Sequence, residues 1–233
     1  MCSKKDEIER CFIDEASGAV THINSKPSIN PDSAITVPGI TIINQLSYPM
    51  GRIHPRDYPK TDWKGIVLHY TAGWDKFSKD GTIPSSFKTL RKRGLSYHFI
   101  ITKDGTVHQC VDVGDKAQHG GSYNGTHLGI SYVNVGFQRD GIDNPEWPVP
   151  SAGAGTYNGK PRRWDPYPEL QKKAGLLLMK HLVSIFPTIT AEGILPHSAG
   201  DSGKSDTGPA LDLEHLKKSI FASIGASSWT SWK

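Results

Sequence analysis

The sequence predicts a mixed α/β domain in which a single central mixed β-sheet is flanked by helices. Apolar, β-branched runs typical of strands alternate along the chain with segments of helical periodicity. Two strand-like runs, residues 96–102 and 106–111, are joined by Lys103-Asp104-Gly105, and an Asp-Gly turn between such runs indicates a hairpin. Alternating strands and helices pack as a sheet with helices on it. At 233 residues, the chain is long enough to bury one large core.

The amino-acid composition indicates which classes of binding partner to expect. The chain is 36% hydrophobic and carries a formal net charge of +4, which is mildly basic. Its one dense group of cations is Lys88, Arg91, Lys92 and Arg93, so no nucleic-acid partner is expected. A slightly cationic surface suits an anionic polymer. No apolar run approaches the roughly 18 residues that span a bilayer, so no membrane insertion is expected.

The cysteines and the N-terminus bear on the cellular compartment. Cys2, Cys11 and Cys110 have neither metal-knuckle nor disulfide-framework spacing, so we expect free thiols. The charged start of the chain is not followed by the apolar segment of a secretory signal. We therefore expect synthesis in the cytoplasm without a signal peptide, and action elsewhere would need another route.

The chain divides into three predicted regions. Residues 1–40 mix charged residues with Ser, Asn and Pro and are interpreted as an N-terminal extension, with a short helix over residues 6–13. Residues 41–226 form the predicted catalytic domain, beginning near the strand-like run Ile40–Asn44. Residues 227–233 are a short C-terminal tail.

Within the domain, residues 65–69 predict a buried strand that ends at Thr71-Ala72-Gly73, and residues 128–136 predict a further strand. Residues 84–94 predict a short helix with cations in its last turn and a closing glycine. Residues 137–164 are rich in Pro and Gly and predict a long loop, and its part from Pro145 to Trp164 is interpreted as a wall of a substrate groove.

Two longer helices are expected near the C-terminus. The first is expected to open at residues 166–170, with Asp165 as its N-terminal cap. His181 is interpreted as packing near the buried face of this helix. The last helix is expected over residues 211–224. Helical periodicity predicts inward-facing residues on each: Leu170, Ala174, Leu177, Leu178, Leu182 and Ile185 on the first, and Leu213, Leu216, Ile220 and Ile224 on the second.

The candidate chemistry starts from His69, at the end of the predicted buried strand. A lone histidine there is more often a core residue bonded to backbone. His197 and Asp206, far downstream, change this interpretation, because two histidines and one carboxylate are a ligand set that zinc uses when one position stays open for water. Local spacing alone is a weak signal, since a Gly-Ser loop of no fixed geometry separates His197 from Asp206.

Five segments in order carry a family resemblance: I-V-L-H-Y-T-A-G, Y-H-F-I-I-T-K-D-G-T-V, A-Q-H-G-G, L-G-I-S-Y-V-N and P-H-S…K-S-D-T-G-P. Over about residues 50–224 the chain resembles the type 2 N-acetylmuramoyl-L-alanine amidases. These share a fold with peptidoglycan recognition proteins and with phage lysins. Any one segment matches by chance, whereas the set in this order is specific.

The resemblance implies roles residue by residue. His69, His197 and Asp206 match the ligands of a single Zn²⁺ ion, and Lys204 matches the lysine that stabilises a developing oxyanion. Tyr97 matches the tyrosine that many members place beside the metal-bound water. Ser131 stands where other members carry a catalytic glutamate, so Tyr97 bears more of the chemistry. His119 matches a histidine of the substrate cleft, and a loop-fixing hydrogen bond is the alternative role for it.

The function that the resemblance implies is zinc-dependent hydrolysis of the amide bond between N-acetylmuramic acid and L-alanine, by a monomer acting on peptidoglycan as a phage endolysin does. An exported wall enzyme and a cytosolic muropeptide-recycling amidase are alternative settings. A non-catalytic recognition module is the alternative class, but such modules typically lose a zinc ligand, and all three positions are filled here. A structural protein with an inert copy of the fold has no positive support.

Overall fold

The computed structural model describes residues 10–13, 20–23, 35–46, 51–54, 62–73, 85–139, 144–145, 156–157 and 160–222. The chain divides into two compact units, Met1–Asn30 and Pro31–Lys233. In the first unit, β1 (Arg10–Ile13) pairs antiparallel with β2 (Val20–Ile23). The helix predicted over residues 6–13 is therefore wrong over Arg10–Ile13, where β-favouring side chains find a partner strand. Residues 6–9 lie outside the described part.

The second unit is built on a seven-stranded mixed sheet, which confirms the predicted fold class. The strand order is β13-β6-β10-β7-β8-β4-β3. The central pairs β13–β6, β6–β10 and β10–β7 are parallel, whereas β7–β8 and β3–β4 are antiparallel. The strands are β3 (Ile35–Val37), β4 (Ile40–Asn44), β6 (Gly65–Tyr70), β7 (Phe99–Ile101), β8 (Val107–Gln109), β10 (His127–Tyr132) and β13 (Ile194–Pro196).

Within the described ranges, the remaining elements are short ribbons, three α-helices and two 3-10 helices, Gly121–Gly125 and His197–Ala199. Strand β5 (Ile53–His54) pairs with β9 (Lys116–Ala117), and β11 (Thr156–Tyr157) pairs with β12 (Lys160–Pro161). The helices are α1 (Ser85–Arg93), α2 (Glu169–Ile185) and α3 (Leu213–Phe221). The predicted short helix is confirmed as α1. The predicted hairpin is confirmed as β7–β8, with Asp104 accepting hydrogen bonds from Thr102 Oγ1 and Thr106 N in its turn.

Different helices pack against the two faces of the sheet. Side chains alternate along a strand, so Ile66 and Leu68 of β6 join the core formed with α2 and α3, whereas His69 points to the opposite face. On that opposite face, Phe87 and Leu90 of α1 pack with Ile100 and other buried residues. The candidate site therefore lies on the α1 side of the sheet, and α2 and α3 support it from behind.

Helix α2 differs from its prediction in both cap and buried face. It starts after Pro168, while Asp165 instead accepts from Val135 N and pairs with Lys103 Nζ at 2.6 Å. Leu170 and Ile185 are 62% and 47% exposed, so their predicted burial is wrong. The buried face turns toward Gln171, whose amide nitrogen donates to the carbonyls of Ile101 and Val133. His181 is exposed rather than packed.

Other predictions on this unit are confirmed in part. Leu216 and Ile220 of α3 are buried and Leu213 packs against the core, while Ile224 lies outside the described residues. Cys110 is a buried free thiol, and Cys2 and the side chain of Cys11 are not described. His54 is exposed. Within the described ranges, no helix has the length and apolar character needed to cross a membrane.

Candidate metal centre and active site

Parallel strands bring residues from distant parts of the chain to one edge of the sheet. Strand β6 lies between β10 and β13, both parallel to it. His69 is near the C-terminal end of β6, Ser131 pairs with it in register on β10, and His197 follows β13 directly. The C-terminal ends of parallel strands are where α/β sheets commonly place ligand sites.

The three predicted ligands meet there. His69 Nδ1 lies 3.1 Å from His197 Nδ1 and 3.1 Å from Asp206 Oδ2. His197 Nδ1 lies 3.0 Å from the same carboxylate oxygen. These are the side chains whose nitrogen and oxygen atoms cluster closely enough to hold a metal ion within the described part of the chain.

The donor set fits zinc. Zinc binds imidazole nitrogen and carboxylate oxygen at about 2.0–2.1 Å, and tetrahedral bonds of that length separate the ligand atoms by about 3.3 Å. The three edges of this cluster, 3.0–3.1 Å, come close to that separation. Three protein ligands leave a fourth tetrahedral position open, as catalytic zinc sites do.

The protonation states also suit a cation. Burial by itself would raise the pKa of Asp206, but the hydrogen bonds and charges of His197 and His69 outweigh it and hold that pKa well below its usual range. Burial lowers the pKa of His69, although the neighbouring Asp206 partly offsets this. A neutral imidazole beside an ionised carboxylate is the state that a metal ion requires of its ligands.

The loop that carries Asp206 is held at several points. Ser198 N donates to Asp206 O at 3.0 Å, and Tyr167 Oη donates to Thr207 O at 2.8 Å. The hydroxyls of Tyr70 and Ser205 share a hydrogen bond of 2.5 Å. The Gly-Ser loop without predictable geometry is thus fixed by contacts with the ends of strands and helices.

A cavity of about 480 Å³ opens over the cluster. Tyr97, His197, Lys204 and Asp206 line it, whereas His69 is fully buried beneath. The ring centroid of Tyr97 lies 4.8 Å from that of His69. Lys204 is exposed, and its charge contributes to the lowered pKa of His69. The structure therefore brings these five predicted site residues together at the floor and wall of one cavity.

The sixth, His119, lies mainly behind His69. It is 6% exposed and touches the cavity wall, and its Nδ1 lies 3.1 Å from His69 Nε2. Its Nε2 lies 3.1 Å from the carbonyl oxygen of His127. Burial lowers the pKa of His119 well below its ordinary value, so the ring is neutral. The substrate-contact and hydrogen-bonding roles considered for His119 are both compatible with this position.

All six predicted site residues lie within the part of the chain that matches a known protein family. The family model described as N-acetylmuramoyl-L-alanine amidase matches residues 59–209, well over half of the chain. The chain belongs to this family. Family membership supports hydrolysis of an amide bond in peptidoglycan as the activity. None of the curated proteins compared with the chain matches it significantly.

Solved amidase structures share the fold. The E. coli amidase AmiD, in complex with anhydro-N-acetylmuramic acid-L-Ala-D-gamma-Glu-L-Lys, is 21% identical with a TM-score of 0.52 over 71% of this chain and 60% of its own. AMPDH3 from Pseudomonas aeruginosa, in complex with anhydromuramic pentapeptide, is 23% identical with a TM-score of 0.51, over 74% and 64%. The endolysin LysCS from Clostridium intestinale URNW is 18% identical with a TM-score of 0.50, over 77% and 94%. This chain therefore spans about three-fifths of AmiD and most of LysCS.

Within this amidase, Ser131 occupies the position beside His69 at which the resemblance places a glutamate in other members. Its hydroxyl is fully buried and cannot replace a carboxylate as a base. Burial raises the pKa of Tyr97, the charge of Asp206 raises it further, and Arg93 and Ser131 oppose the shift. The Tyr97 phenol is consequently protonated at neutral pH and can donate a hydrogen bond or a proton.

Sequence reasoning missed one wall of the cleft. Ser86, Thr89 and Arg93 of α1 line the cavity, with Leu90 packed beneath them. The signal was present, because positions i, i+3 and i+7 of a helix share one face. Among the described residues of the predicted 137–164 loop, none lines the cavity. Most of that loop lies outside the described part, so its role as a groove wall stays a prediction.

Proposed function

We propose that the chain is a zinc-dependent amidase that cleaves the bond between the lactyl group of N-acetylmuramic acid and the L-alanine of the stem peptide. The observation that carries the proposal is the cluster of His69, His197 and Asp206, with ligand atoms 3.0–3.1 Å apart on the floor of an open cavity. AmiD, which shares the fold, is complexed with anhydro-N-acetylmuramic acid-L-Ala-D-gamma-Glu-L-Lys, and AMPDH3 with anhydromuramic pentapeptide. These ligands support peptidoglycan as the partner of this chain.

In this proposal, zinc would supply Lewis acidity and make a water molecule nucleophilic at neutral pH. Water adds to the amide carbonyl carbon, the carbon–nitrogen bond breaks, and the departing L-alanine amine takes up a proton. The ammonium of Lys204, on the cavity wall, stabilises the negative charge that develops on the carbonyl oxygen. Tyr97, protonated and facing the cavity, orients the water and is placed to donate a proton to the amine.

The test combines metal analysis with product analysis. Purified wild-type protein should contain one zinc per chain and release new free amino termini of L-alanine from peptidoglycan. Asp206→Ala should lose both zinc and activity, because the carboxylate is one of three ligands. Asp201→Ala is the matched control, since Asp201 also lines the cavity but is not in the ligand cluster. Full activity of Asp206→Ala, or equal loss in Asp201→Ala, contradicts the ligand assignment.

We further propose a lytic role on intact cell wall, as in a phage endolysin, after release or export from the cytoplasm. The cleft is open, and its α1 wall carries exposed cations that suit a large anionic substrate. Turnover of intact sacculi should then match or exceed turnover of soluble muropeptides. Activity on soluble muropeptides alone would instead favour the recycling amidase.

A further inference from the structure

His119 is held more firmly than a substrate-contacting side chain needs to be. Its backbone nitrogen and that of Gly120 both donate to Asn124 Oδ1, at 2.8 and 2.6 Å. Its ring lies against Gly129, where a Cβ atom would come within 2.6 Å of the imidazole. Both ring nitrogens have partners, His69 on one side and the carbonyl of His127 on the other. The surroundings therefore fix the position and the rotation of this ring.

The partners also determine which edge of the His69 ring faces the other ligands. A backbone carbonyl can only accept a hydrogen bond, so Nε2 of His119 donates to it, and Nδ1 of His119 is the atom that is left to meet His69. That Nδ1 lies 3.1 Å from Nε2 of His69. With its Nε2 edge held by His119, His69 turns its Nδ1 toward His197 and Asp206.

We propose that His119 is a positioning residue that fixes the orientation of His69, through a hydrogen-bond chain from His69 Nε2 to His119 and on to the His127 carbonyl. The inference rests on the proposed zinc site for its consequence, because only Nδ1 of His69 points at the other ligands. Partners behind a ligating histidine typically change metal affinity by about 10–100-fold when removed. His119 therefore acts on catalysis through His69 rather than through the substrate.

The variants separate this role from packing. His119→Phe keeps a ring against Gly129 but removes both hydrogen bonds. His119→Gln keeps an acceptor and a donor and should restore part of the function if the Phe variant folds poorly. His127→Gln is the matched control, because the side chain of His127 contacts Thr126 while only its backbone carbonyl belongs to the chain of hydrogen bonds.

Two readouts are needed. Crystal structures of the metal-free protein should show His69 Nε2 bonded to His119 in wild type and a rotated or multiply oriented His69 ring in His119→Phe. In chelator competition, zinc should bind His119→Phe about 10–100-fold more weakly, His119→Gln less so, and His127→Gln as wild type. An unrotated, singly oriented His69 ring in His119→Phe, or an unchanged zinc Kd in that folded variant, overturns the proposal. A wild-type protein that keeps the His69–His119 contact but binds no zinc overturns the proposed function alone.

Discussion

At the scale of single residues, Tyr97 and Lys204 are the side chains whose removal separates binding of metal from turnover. Both line the cavity, and neither belongs to the ligand cluster. Tyr97→Phe should lower kcat by about 10²–10⁴-fold, the usual contribution of a proton donor. Lys204→Ala should lower kcat by about 10²–10³-fold, as loss of an oxyanion-stabilising group does. Zinc content should remain at the wild-type level in both, and its loss would show that these residues serve the ligands instead.

His108 provides a second residue-scale prediction, on stability. Both of its ring nitrogens are buried and have no hydrogen-bond partner among the described residues, and the ring lies next to Phe87 under α1. Burial lowers the pKa of His108 to about 4, with the charge of Asp104 opposing the shift. Because the unfolded chain binds the proton more tightly, the free energy of unfolding should fall as pH drops from about 6.5 toward 4. The loss at its full extent is about 3 kcal/mol.

Urea denaturation across this pH range checks the prediction. His108→Leu should flatten the decline. Burial also lowers the pKa of His98 to about 4, so part of the slope should remain in the variant. An identical slope in wild type and His108→Leu would show that His108 does not titrate with unfolding.

At the scale of elements, the hydrogen bond between Tyr70 and Ser205 joins the end of β6 to the loop that carries Asp206. A hydrogen bond of this kind contributes about 1 kcal/mol, which corresponds to roughly a fivefold change in an equilibrium constant. Tyr70→Phe should therefore raise the zinc Kd about fivefold in chelator competition. Tyr123→Phe is the control, because no hydrogen bond of its hydroxyl is found in the described structure. Equal effects of the two variants would exclude a specific role for the Tyr70 contact.

Element by element, the sequence predicts what local patterns determine. The continuous β-branched run before His69 predicts β6, and the Asp-Gly turn predicts the β7–β8 hairpin, because both depend on neighbouring residues. The buried face of α2 depends on distant carbonyl groups that accept from Gln171, and periodicity cannot reveal them. The meeting of His69 with Asp206 likewise depends on the strand order. Only the family resemblance anticipates it.

At the scale of the whole molecule, a group of exposed cations lies beside the cleft on the α1 side of the sheet. The α1 basic surface consists of Lys88, Arg91, Lys92 and Arg93, all exposed, together with Arg52, whose backbone nitrogen donates to Gly94 at the end of α1. No ion pair involves these side chains in the described part of the chain. These exposed cations beside the cleft should attract an anionic wall polymer, and the attraction should weaken with salt.

A charge reversal tests this surface. Lys88→Glu, Arg91→Glu and Lys92→Glu combined should weaken binding to intact sacculi at low salt and leave turnover of soluble muropeptides unchanged. The matched control reverses Lys173, Lys180 and Lys218 on α2 and α3, which changes the net charge equally on the other side of the sheet. Equal weakening by both triple variants would show that only net charge matters.

The position of β13 at an edge of the described sheet has a consequence for dynamics. This strand is three residues long, pairs only with β6 among the described strands, and directly precedes His197. Edge segments open with free energies well below that of global unfolding. Each opening would withdraw one metal ligand, so bound metal should slow amide hydrogen exchange at β13 more than at the central strand β10. Release of the metal and opening of β13 would then be one event, which metal dissociation and hydrogen exchange each measure.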